Sequence, residues 1–327
     1  VHNAAVFFPG VFFGRYHRCM GESGFLIGVD FGGTKIEAAA LDATGVPRVR
    51  RRIATPDRYD AALDAVRELV AAVEAQTAPV SRIGLGGPGS FSRRTGVLRN
   101  SNTQYLNGRP FVADLERALG KAVRFSNDAN CLALSEAVDG AAAGAAVVFA
   151  VIIGTGCGGG VVVDGRLLEG ANGIGGEWGH NPLPWPTEAE VRESVRCWCG
   201  QRSCQETWIS GTGLQRDFEA TTGVRATGEA IIAAARAGEG SAIAAFERYT
   251  DRLARALACV VNLIDPDVIV LGGGMSNIDE LYERLPPLIR RHVFSDTWET
   301  PVVRAKWGDS SGVRGAARLW ASVTGTP

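Results

Sequence analysis

Cys197, Cys199 and Cys204 form one Cys-x-Cys-x4-Cys run, and His180 lies upstream of it. Thiolates and an imidazole are the ligands of tetrahedral structural zinc, and a Cys3His set closes all four positions. The Cys-x-Cys opening is tighter than the usual gap of ~2–4 residues. Three reduced cysteines that are merely buried are the plain alternative, yet a short polar stretch is a poor place to bury them. The spacing predicts Zn2+ held by His180, Cys197, Cys199 and Cys204, with the job of fixing a loop. Cys19, Cys131, Cys157 and Cys259 read as small buried or strand-edge residues.

Asn127-Asp128-Ala-Asn130 carries a second chemistry, since it follows a short apolar run and opens a helical one. A lone Asp there reads as a helix N-cap. The asparagines beside it add amides that grip hydroxyls, and the carboxylate can take a proton from a polyol. Phosphoryl transfer asks for positioning, charge stabilisation and a carboxylate that orients and deprotonates the acceptor hydroxyl. Glu177, before His180, and Glu206, after Cys204, are further acceptors for sugar hydroxyls.

Three glycine stretches could meet a phosphate: Gly32-Gly33-Thr34 with Lys35, Gly154-Thr155-Gly156, and Gly272-Gly273-Gly274. Without a Cβ in the way, backbone N–H groups come close to an anion, and successive N–H groups form a concavity for it. Lys35 adds charge. Asp30, ahead of the first stretch, suits a hydrated Mg2+, which keeps its waters and takes few carboxylates. None of these is a GxxxxGK[ST] loop or a GxGxxG that opens a helix. One such turn is a hairpin signal; two alike plus a third point to a nucleotide.

The elements that must position these groups follow from apolar patterning. Residues 25–30 and 36–41 read as strands around the first glycine turn, and 147–153 and 161–163 as strands around the second. Residues 82–86, 123–125 and 268–271 are further short strands. Helices are expected over 61–75, 111–120, 128–137 and 251–264. Strands alternating with helices make an α/β architecture. The repeated hairpin implies two related domains packed around one cleft.

The chain of 327 residues has room for about two domains. It is 46% hydrophobic and 21% charged, like soluble globular proteins. Its 34 Lys and Arg against 35 Asp and Glu leave a net charge of −1, without the basic surplus of a nucleic-acid binder. No run reaches the ~18 apolar residues of a membrane helix. Seven cysteines in so long a chain are no secreted disulfide framework, so a cytoplasmic setting is expected. Residues 1–19 are aromatic-rich, and Arg15 and Arg18 follow the apolar part, whereas a signal peptide places charge first. The segment reads as an upstream extension or an arm that packs on a neighbour.

Asp30-Phe-Gly-Gly-Thr-Lys35, Asn127-Asp-Ala-Asn130, Gly154-Thr-Gly156, Glu177-Trp-Gly-His180 and Cys197-x-Cys-Gly-x3-Cys204-x-Glu206 together resemble the ROK family of sugar kinases and repressors. The likeness runs from about Gly24 to about Trp320. Asn107-Gly-Arg-Pro-Phe111, Glu177 through Trp185, and Gly308 through Gly315 look most like the family's fructokinase, or manno(fructo)kinase, branch. The resemblance implies an actin-like, ribonuclease H-like fold with an ATP cleft between two domains. It implies an N-terminal extension over 1–23, domains over 24–137 and 138–310, and a helix over 311–324 that returns to the first. It implies transfer of the ATP γ-phosphate to the 6-hydroxyl of fructose, with mannose secondary. Glucokinase and N-acetylglucosamine kinase are the alternatives inside the family. A sugar-sensing repressor or a non-catalytic sugar-binding ATPase is the alternative of another functional class.

By the family pattern Asp128 is the general base, and Asn127, Glu177, His180 and Glu206 hold the sugar, with Gly87, Pro88 and Asn102 beside it. His180 serves zinc through one ring nitrogen and sugar through the other. ATP, Mg2+ and Zn2+ are the implied cofactors, and a homodimer the implied assembly. Ser203 stands where the family usually has Gly, which leaves the zinc loop open to local change, and Phe31 is bulkier than the usual aliphatic residue.

Overall fold

A computed structural model of the chain describes residues 23–320. The expected N-terminal extension, up to residue 22, and Cys19 lie outside the described residues, as do 321–324 of the expected last helix. Strand β1 (Leu26–Phe31) pairs antiparallel with β2 (Lys35–Leu41), and β2 with β3 (Pro47–Ala54). Helix α1 (Tyr59–Glu74) leads to β4 (Arg82–Gly87), which runs parallel to β1. A small β5 (Ser90–Phe91) and β6 (Leu98–Arg99) hairpin and helix α2 (Phe111–Leu119) precede β7 (Ala122–Asn127), parallel to β4. The sheet order is β3-β2-β1-β4-β7. Helix α3 (Asp128–Asp139) follows directly.

The second sheet repeats the plan. Its order is β10-β9-β8-β11-β12, built from β8 (Val147–Ile153), β9 (Cys157–Val163), β10 (Arg166–Leu167), β11 (Val268–Gly272) and β12 (Val302–Arg304). Between β10 and β11 come α4 (Glu188–Glu193), α5 (Glu206–Ile209), α6 (Gly211–Thr222), α7 (Gly228–Arg236) and α8 (Gly240–Ile264). Helix α9 (Glu280–Arg290) precedes β12, and α10 (Ser311–Arg318) closes the described chain. The chain divides into two compact units. One comprises the described residues up to Ala146, Gly160–Gly175 and those from Lys306 on; the other comprises Val147–Gly159 and Gly176–Ala305.

Three departures from the sequence reading have physical causes. Strand β3 carries Arg48, Arg50, Arg51 and Arg52 with no apolar alternation, because it is a sheet edge, where charge discourages further pairing. Its Arg52 sits opposite Glu37 and donates to it at 2.8 Å, as does Arg50 at 2.9 Å. Helix α8 starts eleven residues before the expected 251, at Gly240. Its cap is Glu239, which accepts from the Ser241 and Ala242 amides, rather than one of the short side chains that usually mark a start. Strand β9 begins at Cys157 rather than 161, so Gly158, Gly159 and Gly160 lie within it. A Cβ on Gly159 would stand 2.7 Å from Trp178 Cδ1, and one on Gly160 2.7 Å from the Ala129 carbonyl oxygen. Those glycines serve close packing.

The first unit is tied to its own distant residues. Glu136, fully buried, accepts from the backbone amides of Ala141 (2.8 Å), Lys306 (2.9 Å) and Trp307 (3.2 Å) and from the Ser311 hydroxyl (3.0 Å). Helix α10 then lies so close to the sheet that Cβ atoms on Gly28 and Gly84 would overlap the Val313 and Ala316 carbonyl oxygens. Gly84→Ala is expected to destabilise the protein by about 3 kcal/mol, the upper range for overpacking against atoms that cannot step aside. Gly240→Ala, where no atom lies within 4 Å, should change stability by under about 0.5 kcal/mol. Equal urea midpoints for the two variants would remove this packing argument.

Candidate functional site

Asn127 ends β7 and Asp128 begins α3. Asn127 is the N-cap: its Oδ1 accepts from the Asn130 amide at 2.7 Å. Asp128 is therefore not needed as the cap, which the sequence left as its plain alternative. Its Oδ1 accepts from the adjoining Ala129 amide at 2.9 Å, and the residue stays exposed. Protein atoms still displace enough water around the carboxyl to raise its pKa above the ordinary 3.8. Gly87 is the register partner of Asn127 across β4 and β7, with half-buried Pro88 next to it. Asn102 is exposed, beside Thr103.

Asp30 closes β1, and its pKa is pushed up to about 7, first by burial and then by the negative fields of Asp128 and Glu37; Lys35 and Arg52 oppose this. A buried carboxylate whose ionisation is made costlier by a second carboxylate nearby suits a hard divalent cation. The room around Asp30 depends on Gly312, whose Cβ would overlap Asp30 Oδ2. In the adjoining turn Gly32 donates to the Lys35 carbonyl at 2.9 Å, while Thr55 Oγ1 donates to the Gly32 carbonyl at 2.7 Å. Lys35 pairs with Asp309 at 3.6 Å.

The second unit holds the other glycines. Gly154 donates within its turn to the Gly156 carbonyl at 3.0 Å, and the Gly211 amide donates to the Gly154 carbonyl at 2.7 Å. Thr212 Oγ1 donates to the Thr155 carbonyl at 2.7 Å. Gly272 is paired with Ile152 on parallel strands, so Gly272–Gly274 and Gly154–Gly156 come together at the carboxyl ends of β11 and β8. Ligands of open α/β sheets favour such ends. Gly273, at φ 81°, comes close to the Ile153 backbone and has no room for a side chain.

His180 ends a 3-10 turn, Trp178–His180, headed by Glu177. His180, Cys197, Cys199 and Cys204 place one ligand atom each within 4.8 Å of the others. His180 Nδ1 is 3.7 Å from Cys197 Sγ, and Cys199 Sγ is 3.5 Å from Cys204 Sγ. A tetrahedral ion at about 2.3 Å from sulfur and 2.0 Å from nitrogen spans these gaps, so the donors fit zinc. Ser203 does adopt the left-handed backbone, φ 61°. The donors converge regardless, since Leu183 N–H donates to its carbonyl at 2.9 Å and Trp208 Nε1 to its hydroxyl at 3.2 Å. Cys131 and Cys157 are buried, and Cys259 half-buried.

Trp198, between two of the cysteines, was missed from sequence. Its indole N–H donates to Glu206 Oε1 at 2.7 Å, and its ring stands edge-on to His180 with centroids 5.0 Å apart. Glu206 Oε2 accepts from Cys157 N–H at 3.0 Å. A Cβ on Gly156 would press within 2.7 Å of that oxygen, so this glycine also makes room for Glu206. An aromatic residue inside a cysteine run was the available signal.

The model of the ROK family matches residues 26–323. The chain belongs to the ROK family. ROK relatives include the N-acetyl-D-glucosamine kinase of Vibrio cholerae, 40% identical over 296 residues, covering 89% of this chain and 98% of the relative. The Pectobacterium atrosepticum protein of the same name is 39% identical with 89% and 97% covered. Among solved ROK structures, a hexokinase from Thermus thermophilus superposes with TM-score 0.81 at 33% identity, over 90% of this chain and 97% of that one. A Streptomyces griseus glucokinase in complex with glucose and AMPPNP gives TM-score 0.73 at 29% identity, over 90% and 99%. The fold is accordingly the actin-like one of ROK sugar kinases, with mixed α/β sheets in two domains. The relatives carry the acetamido-sugar name rather than that of fructokinase. Among the described residues no helix is long and apolar enough to cross a membrane.

Proposed function

We propose that the protein is an ATP-dependent kinase that phosphorylates the 6-hydroxyl of N-acetylglucosamine. The observation that carries the kinase reading is Asp128, a carboxylate at a helix start whose capping is done by Asn127. It is free to accept the sugar's proton. The likeness to N-acetyl-D-glucosamine kinases supports the choice of sugar over fructose. The motifs that suggested fructose have structural work instead. Asn107 accepts from the Ser101 amide and donates to its carbonyl, at 2.9 and 2.8 Å. Within Gly308 through Gly315, Ser311 at the start of α10 donates to Glu136 at 3.0 Å.

In this reading Asn127, Gly87, Pro88, Asn102, Glu177, His180 and Glu206 hold the sugar. Asp30 holds Mg2+ through water, the three glycine stretches and Lys35 meet the phosphates, and zinc fixes the loop that carries Trp198 and Glu206. ADP release with MgATP, compared across N-acetylglucosamine, glucose, mannose and fructose, tests it. The highest kcat/KM is expected with the acetamido sugar, and its product is the 6-phosphate. A clear preference for fructose would return the substrate to the family branch suggested by the sequence motifs.

A further inference from the structure

The first unit has a half-open cavity of about 60 Å³ next to Asn127, with Phe91, Phe125, Ser126, Asn130 and Glu169 among its walls. Ser126 and Asn130 are only 4% and 6% exposed. Ser126 Oγ and Asn130 Oδ1 are buried and have no hydrogen-bond partner. A buried polar atom left unpaired is costly and uncommon. Two such atoms on residues that line one small cavity call for a guest that brings their partners. The other polar walls are already engaged: Glu169 with Arg93 at 2.7 Å, and Asn127 Oδ1 with the Asn130 amide at 2.7 Å.

The space matches a small group. At ~10–15 Å³ per water-sized sphere, it holds about four to six heavy atoms. An acetamido substituent has four: a nitrogen that donates, a carbonyl that accepts and a methyl. The walls supply the complement, with Asn130 Oδ1 to accept, the Ser126 hydroxyl to donate and two phenylalanine rings to cover the methyl.

We propose that this cavity receives the C2 acetamido group of the sugar, with Ser126 and Asn130 as the residues that select it. The inference rests on the proposed N-acetylglucosamine kinase reading and gives it a structural cause. A sugar with a bare hydroxyl at C2 leaves the deeper wall atoms unpaired, and sites built to hydrogen-bond a group discriminate strongly against its absence.

The experiment compares kcat/KM for N-acetylglucosamine with that for glucose, which differs from it only at C2. In Ser126→Ala the ratio is expected to fall about tenfold, the worth of one neutral hydrogen bond. In Ser126→Leu, which also fills the cavity, it should fall about hundredfold. The unaltered protein gives an independent reading: N-hexanoylglucosamine, whose C2 amide substituent has twice the heavy atoms, should be at least hundredfold poorer than the N-acetyl sugar. A ratio within twofold of wild type in both variants, or N-hexanoylglucosamine used as well as N-acetylglucosamine, overturns the cavity assignment alone. A wild-type protein that phosphorylates glucose or fructose but not N-acetylglucosamine overturns both this inference and the substrate reading beneath it.

Discussion

Asp128→Asn should lower kcat by a factor of about 10²–10⁴ while sugar binding changes little, the range expected for loss of a general base. The amide is isosteric, and its oxygen can still take the Ala129 N–H that Asp128 Oδ1 accepts at 2.9 Å. Asn127 remains the cap, so α3 keeps its start. What is lost is the negative charge and, with it, the affinity for the hydroxyl proton. The pH profile supplies a second check. Crowding raises the Asp128 pKa above 3.8, so wild-type kcat/KM should fall on acidification at a pH above the usual carboxylate range. The Asn variant's residual rate should lack that limb. Undiminished turnover in Asp128→Asn would end the assignment.

Cys204→Ser should cost the protein its zinc and, with it, about tenfold or more in KM for the sugar. In the proposed site three thiolates and one imidazole would hold the ion, and a hydroxyl is a poor substitute for a thiolate on zinc. Binding energy at structural zinc sites is folding energy for the segment that supplies the ligands. Here that segment sets Glu206 through the Trp198 indole, 2.7 Å from Oε1. Metal analysis should drop from one equivalent to near none. Tryptophan emission should shift as the Trp198 contact with His180 is released. Zinc lost with KM unchanged would separate the loop from the sugar, and zinc retained would remove Cys204 from the ligand set.

What the sequence disclosed was whatever is local along the chain. The Cys-x-Cys-x4-Cys run, Asn127-Asp128 and the glycine turns are short, and each names its own chemistry. The repeated strand-turn-strand pattern likewise revealed two similar sheets, which the matching strand orders bear out. Features made by partners distant in sequence stayed hidden. Nothing near Arg252 and Arg255 announces that Glu190 takes both at 2.8 and 2.7 Å, so a buried face of α8 looked polar. Strand β3 went unread because its charges are met by Glu37, which lies on another strand. The packing need at Gly159 and Gly273 was hidden too, since the atoms a Cβ there would meet belong to Trp178, Gly176 and Ile153. The identity of the sugar was least legible, because it depends on how cavity walls gathered from β5, β7 and α3 meet a single substituent.

The Glu136 clamp bears on how the protein is made. Its carboxylate waits for amides 170 and 171 positions further along the chain. At ~5–20 residues per second, a ribosome needs roughly ten to thirty seconds to deliver them. Throughout that interval the first sheet has been synthesised but lacks α10, and the flat glycine floor at Gly28 and Gly84 has nothing lying on it. The nascent chain must hold that apolar face in waiting until α10 emerges, so the growing protein stays open to misassociation through the whole interval.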